Sequence, residues 1–238
     1  MGLVTQRVTN KHCLPVYDKP MILYPINTLV DAGLTDICVV TGGRYKGHIM
    51  DLLGDGKEFG CNITYAFQYG EGGIADALNK AKPFVQDPYG SIAVILGDNV
   101  FESFDLKSIV KNFAQQSEES KAFARAMVFL KEVEDPHRFG VAIAENSYVK
   151  EIQEKPKRPK SNLAVTGLYL YDCTIWNRIE QCEPSKRGEL EITDVNNSYV
   201  KQDALQYKTV DGFWSDAGTP DSLIKCSQWV RDNGKKIS

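Results

Sequence analysis

The spacing of apolar positions changes period repeatedly along this chain, and each change marks an element. From Met21 to Ala32 the residues Met21, Leu23, Tyr24, Ile26, Leu29 and Val30 recur at helical spacing between Pro20 and Gly33, which predicts a helix. Asp36–Thr41 is a short apolar run that predicts a buried strand, with Gly42 and Gly43 as its turn. Tyr45–Leu53 predicts a second helix, stopped by Gly54. The alternation continues with a strand over Asn62–Phe67, a helix over Ile74–Phe84, a strand over Ser91–Leu96, a helix over Leu106–Gln116 and a strand over Ala122–Leu130.

Strands alternating with helices of about ten residues imply right-handed crossovers, and so an α/β fold with a Rossmann-like, mainly parallel sheet flanked by helices on both faces. Beyond Asp135-Pro136 the strands shorten: Gly140–Ala144, Tyr148–Gln153 and Val165–Tyr171, separated by turn residues. These predict a smaller β-rich layer, inserted or appended. Helices over Thr174–Gln181 and Leu190–Val200, a strand over Leu205–Val210 and a last helix from Asp221 to about Arg231 complete a single domain over 1–238.

Bulk composition narrows the function. With 238 residues, 42% apolar and 25% charged, the chain can bury a core of its own. A net charge of -3 and no long basic block argue against nucleic-acid binding, which needs a cationic surface. No segment approaches eighteen consecutive apolar residues and the first fifteen lack a signal-peptide stretch, so neither a membrane nor export is expected. The six cysteines (Cys13, Cys38, Cys61, Cys173, Cys182, Cys226) form no C-x-x-C pair and no zinc-ligand spacing, and read as reduced thiols of a cytoplasmic protein.

Chemistry concentrates at a few positions. Asp98 ends the apolar run Ile92–Leu96, which places a carboxylate where a buried strand leaves its sheet and where a metal ion is readily held. Asp216, in Trp214-Ser215-Asp216-Ala217-Gly218-Thr219, is a second such carboxylate; two on separate loops suggest a divalent metal bound with a phosphorylated substrate. Either one alone serves equally well as a turn or cap residue. Glu154-Lys155-Pro156-Lys157-Arg158-Pro159-Lys160 reads as a solvated loop or as a proline-stiffened arm that brings Lys155 to a phosphate, with Glu154 accepting from a sugar hydroxyl. Arg187 stands just before a predicted helix, where a guanidinium and a helix N-terminus can share an anion. Gln68 closes a strand ahead of Gly70, Gly72 and Gly73, an amide beside close-approaching backbone that suits a pyrimidine edge. Gly42-Gly43 lacks any G-x-G-x-x-G or G-K-[ST] context, and His12, His48 and His137 are scattered away from any nucleophile, so a covalent mechanism is not indicated.

Taken in order over nearly the whole chain, these segments resemble the sugar-1-phosphate nucleotidyltransferases, specifically the short-form glucose-1-phosphate thymidylyltransferases. The matching pieces are Asn10-Lys11-His12 leading to Leu14-Pro15-Val16-Tyr17-Asp18-Lys19-Pro20-Met21, then Leu52–Gly56, Leu96–Asn99, Asp135–Val141, Glu154–Pro156, Val165–Tyr169, Arg187–Asp194 and Trp214–Thr219. The resemblance implies attack by the phosphate oxygen of glucose 1-phosphate on the α-phosphorus of dTTP, giving dTDP-glucose and pyrophosphate. It implies that Asp98 and Asp216 hold Mg2+, that Lys11 and Arg187 are cationic contacts to phosphate, and that Lys155 holds the sugar phosphate. It further implies Gln68 and Gly73 as base contacts and Gly140, Glu154 and Val165 as part of the sugar pocket. On this reading residues 1–135 mainly bind nucleotide and 136–238 mainly sugar phosphate, in a monomer or small homo-oligomer.

One family element is expected and not found. Relatives open with a buried strand and a G-G-x-G-T-R-L type loop that cradles the triphosphate, whereas this chain runs from Met1 to Val8 straight into Asn10-Lys11-His12. The expectation is that Met1 is an internal methionine and that the polypeptide, short of a strand and an anion nest, is poorly stable and nearly inactive. The chain also ends soon after Gly218-Thr219, so regulation through the C-terminal helices of longer relatives is not expected.

Overall fold

In the computed structural model, residues 9–85, 87, 90–119 and 125–234 are described. In chain order the elements are β1 (Pro15–Val16), β2 (Lys19–Pro20), α1 (Leu23–Asp31), β3 (Asp36–Gly42), α2 (Lys46–Leu53), β4 (Asn62–Gln68), α3 (Gly73–Ala81), β5 (Ile92–Ile95), β6 (Val100–Phe101), α4 (Leu106–Glu119), β7 (Ala126–Glu132), β8 (Gly140–Glu145), β9 (Tyr148–Glu154), β10 (Leu163–Tyr171), α5 (Ile175–Glu180), α6 (Ile192–Val200), β11 (Leu205–Thr209), β12 (Trp214–Ser215) and α7 (Pro220–Asn233). Every predicted helix and strand has its counterpart here. The start of the strand expected at Ala122, residues 122–124, lies outside the described residues, as does the Met1–Val8 segment on which the missing-strand expectation turns. The short pairs β1–β2 and β6–β12 were not predicted, because two-residue strands carry no periodicity to read.

The chain divides into two compact units, each assembled from separate segments. The first takes residues to Gly70, Ile95–Ser108 and those from Gly212; the second takes Glu71–Val94 and Ile109–Asp211.

In the first unit β3 and β4 pair in parallel from Asp36 opposite Asn62 to Gly42 opposite Gln68. A tight core forms where α7 meets the hairpin: Val16, Met21, Tyr24, Val100, Ala217, Cys226 and Val230 are buried together, with Phe213, Leu223 and Trp229 packed against them. Phe213 and Trp229 stack with centroids 4.2 Å apart. Thr219 caps α7 through a reciprocal capping box with Ser222, which fixes the entry of the helix immediately after the Asp216-Ala217-Gly218 turn.

The second unit holds a six-stranded sheet in the order β5-β10-β7-β11-β9-β8, with a further pairing of β10 to β8. This corrects the expectation of a mainly parallel sheet with a separate β-rich layer. Among the described pairings only β3–β4 and β7–β11 are parallel, while β7–β10, β8–β9, β8–β10, β9–β11, β1–β2 and β6–β12 are antiparallel. The reason is local. β8 and β9 are joined by Asn146 and Ser147 alone, both at positive φ (50° and 68°), a two-residue turn that can only return the chain antiparallel. The short strands therefore extend the same sheet as β5 and β7. Five consecutive residues of β7, Ala126–Leu130, are buried, as are Thr166–Tyr171 of β10, consistent with central strands covered on both faces. Behind the sheet, Asp172 accepts from Arg125 N, Thr174 N, Thr174 Oγ1 and Tyr199 OH, and the Arg178 guanidinium lies over the Tyr199 ring at 3.7 Å.

Candidate active site

In the first unit the chemistry gathers at one end of a small ladder. β6 and β12 pair antiparallel, with Val100 opposite Ser215 and Phe101 opposite Trp214. β6 begins at Val100 and β12 ends at the paired Ser215, so Asp98, two residues before β6, and Asp216, the residue after β12, lie on the segments that leave the same end of the ladder. Lys11 arrives from a short 3-10 turn over Lys11–Cys13, and its Nζ donates to Asp98 Oδ2 at 2.6 Å. Asn99 Nδ2 donates to Asp98 Oδ1 at 3.0 Å, and Trp214 Nε1 donates to Asn99 Oδ1 at 2.7 Å. Both oxygens of Asp98 are therefore oriented by named donors.

The surroundings keep the adjacent groups neutral. Burial holds His12 down to about 4, with Asp98 pulling its value up and Lys11 pushing it down, so the imidazole is uncharged at neutral pH. Asn10 Oδ1 lies 2.9 Å from His12 Nδ1, which makes Nδ1 the protonated nitrogen of the neutral ring. The ring and Ile22 close over Gly97, where a Cβ would stand 3.0 Å from each, so a larger residue before Asp98 would have to push these side chains aside. On the other loop, burial first and Asp216 second push the Cys226 thiol up to about 12. Ala217 follows Asp216 at φ +30°, and its N–H donates to Ser215 Oγ at 3.3 Å. Among the described residues no set of three or more His, Cys, Asp or Glu gathers into a metal cage. Two carboxylates with room for phosphate oxygens and water is the donor set Mg2+ accepts, since that ion keeps much of its hydration and takes one or two protein carboxylates.

The second unit carries the anion-binding candidates. Gly140 pairs with Glu154 across β8–β9. Glu154 Oε2 accepts from Thr193 Oγ1 at 2.6 Å, and Oε1 lies 3.4 Å from Lys155 Nζ and 4.0 Å from Arg187 Nη2. Lys155 sits at φ +40°, its backbone N–H donating to Phe139 O at 3.0 Å. Arg187 Nη2 bonds both Glu191 oxygens at 2.9 and 3.1 Å and lies 3.4 Å from Glu189 Oε2, while Ser185 Oγ donates to Glu191 Oε1. Burial, then Glu191 and Glu154, raise the Asp194 carboxyl above its ordinary value.

Gly73 belongs to this unit too. It opens α3 at φ +87°, and a Cβ there would meet Leu190 O at 2.5 Å, so only glycine lets this backbone close on Leu190. Leu190 N donates to Gly72 O and Ala75 N to Leu190 O, tying the start of α3 to the Arg187 loop. Val165 stands on β10 opposite Leu130, at the start of a register shift that ends at Tyr169, opposite Val128. Gln68 ends β4 in the first unit. Sequence reasoning gave no role to Asn99, Trp214, Thr193 or Glu191. Each lies within two residues of a chosen position or on the Arg187–Asp194 segment, but nearness in sequence assigns none of them a partner.

Three comparisons bear on this arrangement. A nucleotidyl transferase family model matches residues 4–233. The glucose-1-phosphate thymidylyltransferase of Neisseria meningitidis serogroup A is 40% identical over 228 residues, covering 94% of this chain and 76% of that protein. A solved structure described as a glucose-1-phosphate thymidylyltransferase of Bacillus anthracis, in complex with sucrose, superposes with a TM-score of 0.86 at 44% identity, covering 97% of this chain and 90% of the other. A UDP-glucose pyrophosphorylase complexed with UDP-glucose superposes at 0.78 and 26% identity, covering 93% and 90%.

Proposed function

Because the chain belongs to the nucleotidyl transferase family, we propose that this nucleotidyltransferase moves a thymidylyl group from dTTP to glucose 1-phosphate, giving dTDP-glucose and pyrophosphate. The observation that supports the reading is the Lys11 ammonium held on Asp98 beside the end of the β6–β12 ladder that the Asp216 segment also leaves. A phosphate oxygen of the sugar phosphate forms a bond to the α-phosphorus as the bond to the β-phosphate oxygen breaks, and pyrophosphate carries away the negative charge. Such a transfer needs positioning and charge neutralisation more than covalent help.

This chain's residues divide the work by unit. In the first, Asp98 and Asp216 would hold Mg2+, Lys11 offers a cation to phosphate and Gln68 faces the base. Mg2+, when bound, neutralises phosphate charge and orients the phosphate oxygens. In the second, Lys155 takes the sugar phosphate, Arg187 a further phosphate contact, and Glu154 accepts from sugar hydroxyls with its carboxylate steadied by Thr193. Gly140 and Val165 are the sugar-side candidates, and Gly73 is a candidate contact to the base.

The protein is read as cytoplasmic and as a monomer or small homo-oligomer. All six cysteines are free, and among the described residues no helix is long and apolar enough to cross a membrane. The deciding assay is pyrophosphate release with glucose 1-phosphate and each of dTTP, UTP and CTP. The UDP-glucose pyrophosphorylase likeness makes UTP the competing substrate. Faster release with UTP than with dTTP would replace thymidylyl by uridylyl transfer.

A further inference from the structure

We propose that Trp214 is a positioning residue, whose indole N–H fixes which end of the Asn99 amide faces Asp98. The two ends of an asparagine amide have nearly the same shape and opposite hydrogen-bonding character, so their orientation is set by their partners. An indole nitrogen can only donate. With Trp214 Nε1 2.7 Å from Asn99 Oδ1, the carbonyl is committed to the tryptophan and the NH2 is turned toward Asp98 Oδ1 at 3.0 Å. A flipped amide would set its carbonyl oxygen against the carboxylate and its NH2 against the indole N–H. Asn99 is only 2% exposed, so water is poorly placed to relieve either conflict.

The relay crosses the ladder. Trp214 is held in β12 opposite Phe101, two residues before Asp216, and Asn99 stands next to Asp98. One loop thus orients the carboxylate of the other. With Lys11 on Oδ2, the direction of the whole Asp98 carboxylate is set by one donor from far along the chain and by the neighbouring Asn99, itself held by Trp214. Outer partners of this kind commonly govern metal affinity without touching the metal. The metal consequence depends on the assignment of Mg2+ to Asp98 and Asp216; the orientation of Asn99 does not.

Two measurements test it. In metal-free protein, the Trp214 indole resonance, assigned by its disappearance in Trp214→Phe, is expected to move on Asp98→Asn; an unmoved resonance overturns the relay whatever the metal does. Second, Mn2+ binding is followed by the paramagnetic resonance of the free ion. Trp214→Phe keeps an aromatic ring and loses the N–H, and is expected to weaken binding about tenfold. Its kcat should recover at saturating metal, which a merely structural defect would not allow. If Trp214→Phe binds Mn2+ like the parent while Asp98→Asn does not, the relay is overturned and the metal assignment stands. If Asp98→Asn itself binds Mn2+ like the parent, the metal assignment falls, and the indole resonance decides the relay.

Discussion

The surroundings of Asp98 and of Arg187 solve opposite electrostatic problems. Asp98 is met by one ammonium and one amide, beside a neutral imidazole, and its side chain is 18% exposed. Charge there is matched one to one, and the geometry is set by a short ladder with a packed core directly behind it. Arg187, by contrast, has a side chain 49% exposed with Glu191, Glu189 and Glu154 all within 4.0 Å, so carboxylates outnumber guanidiniums. The first arrangement is pre-organised and the second is adaptable: a half-exposed arginine among several partners exchanges them at little cost, because exposed ion pairs are individually weak. On the proposed function, a carboxylate held by fixed donors suits accurate placement of charge, and an exposed guanidinium with several partners suits the admission of a phosphorylated substrate.

The sharpest way to break this contrast is Asp98→Asn. If the first site works by fixed charge, pyrophosphate release should fall by about two to three orders of magnitude, the loss typical when a group that meets developing charge is removed. The melting temperature should change little, since the Lys11 side chain, 32% exposed, can be solvated when its partner is neutralised. Retained turnover would remove Asp98 from the chemistry.

Gly73→Ala asks whether the adaptable site nevertheless stands on rigid backbone. With φ at +87° and Leu190 O 2.5 Å from the added Cβ, neither rotation nor a flexible side chain can relieve the clash. Urea unfolding is expected to show a loss of about 1–3 kcal/mol, in the range for strained backbone. An unchanged midpoint would mean that the 187–190 loop yields as easily as the arginine it carries.

Legibility followed length. Each longer element could be read because seven or more residues of periodic pattern outvote local noise, as in α1 and β4. The sheet direction could not: the short strands beyond Asp135 were read as a smaller layer beside a mainly parallel sheet, whereas the two-residue turn at Asn146-Ser147 folds them antiparallel into the same sheet as β5 and β7. That turn lacks the glycine that most strongly marks such hairpins. Among the candidate site residues, Asp98, Asp216, Glu154 and Arg187 stood out in the sequence because charge at the end of an apolar run, or beside glycine or proline, is conspicuous. Asn99 and Trp214 were not, since their role exists only once the β6–β12 ladder brings residue 99 against residue 214. Pairings between residues 115 positions apart leave no periodic trace.

Arg187→Lys measures adaptability itself. Lysine keeps the charge and loses the fork that now holds both oxygens of Glu191. The expected result is a rise of about tenfold in KM for the sugar phosphate, near the value of one charge-assisted hydrogen bond, with kcat less affected. A drop in kcat with KM unchanged would show that Arg187 acts on the transition state alone, and would move it to the same class as Asp98.

The smallest effect is the most specific to the second site's surplus of negative charge. Asp194 lies in the first turn of α6, where the helix dipole favours a carboxylate, yet its value is raised, by burial first and then by Glu191 and Glu154. Burial and crowding together outweigh the dipole. A carboxyl whose value is raised in the folded state binds protons more readily there than in the unfolded chain, so its contribution is fully present below the ordinary value of 3.8 and is lost as pH rises through the folded value. Asp194→Asn removes that dependence. It should raise the melting temperature slightly at pH 7, within the roughly 0.5 kcal/mol typical of surface substitutions, and leave it unchanged well below pH 3.8. Added salt should shrink the difference at pH 7, since the repulsion acts across partly solvated space. A variant less stable than the parent at pH 7 would mean that the dipole wins, and that the carboxylates around Arg187 are balanced as closely as the pair at Asp98.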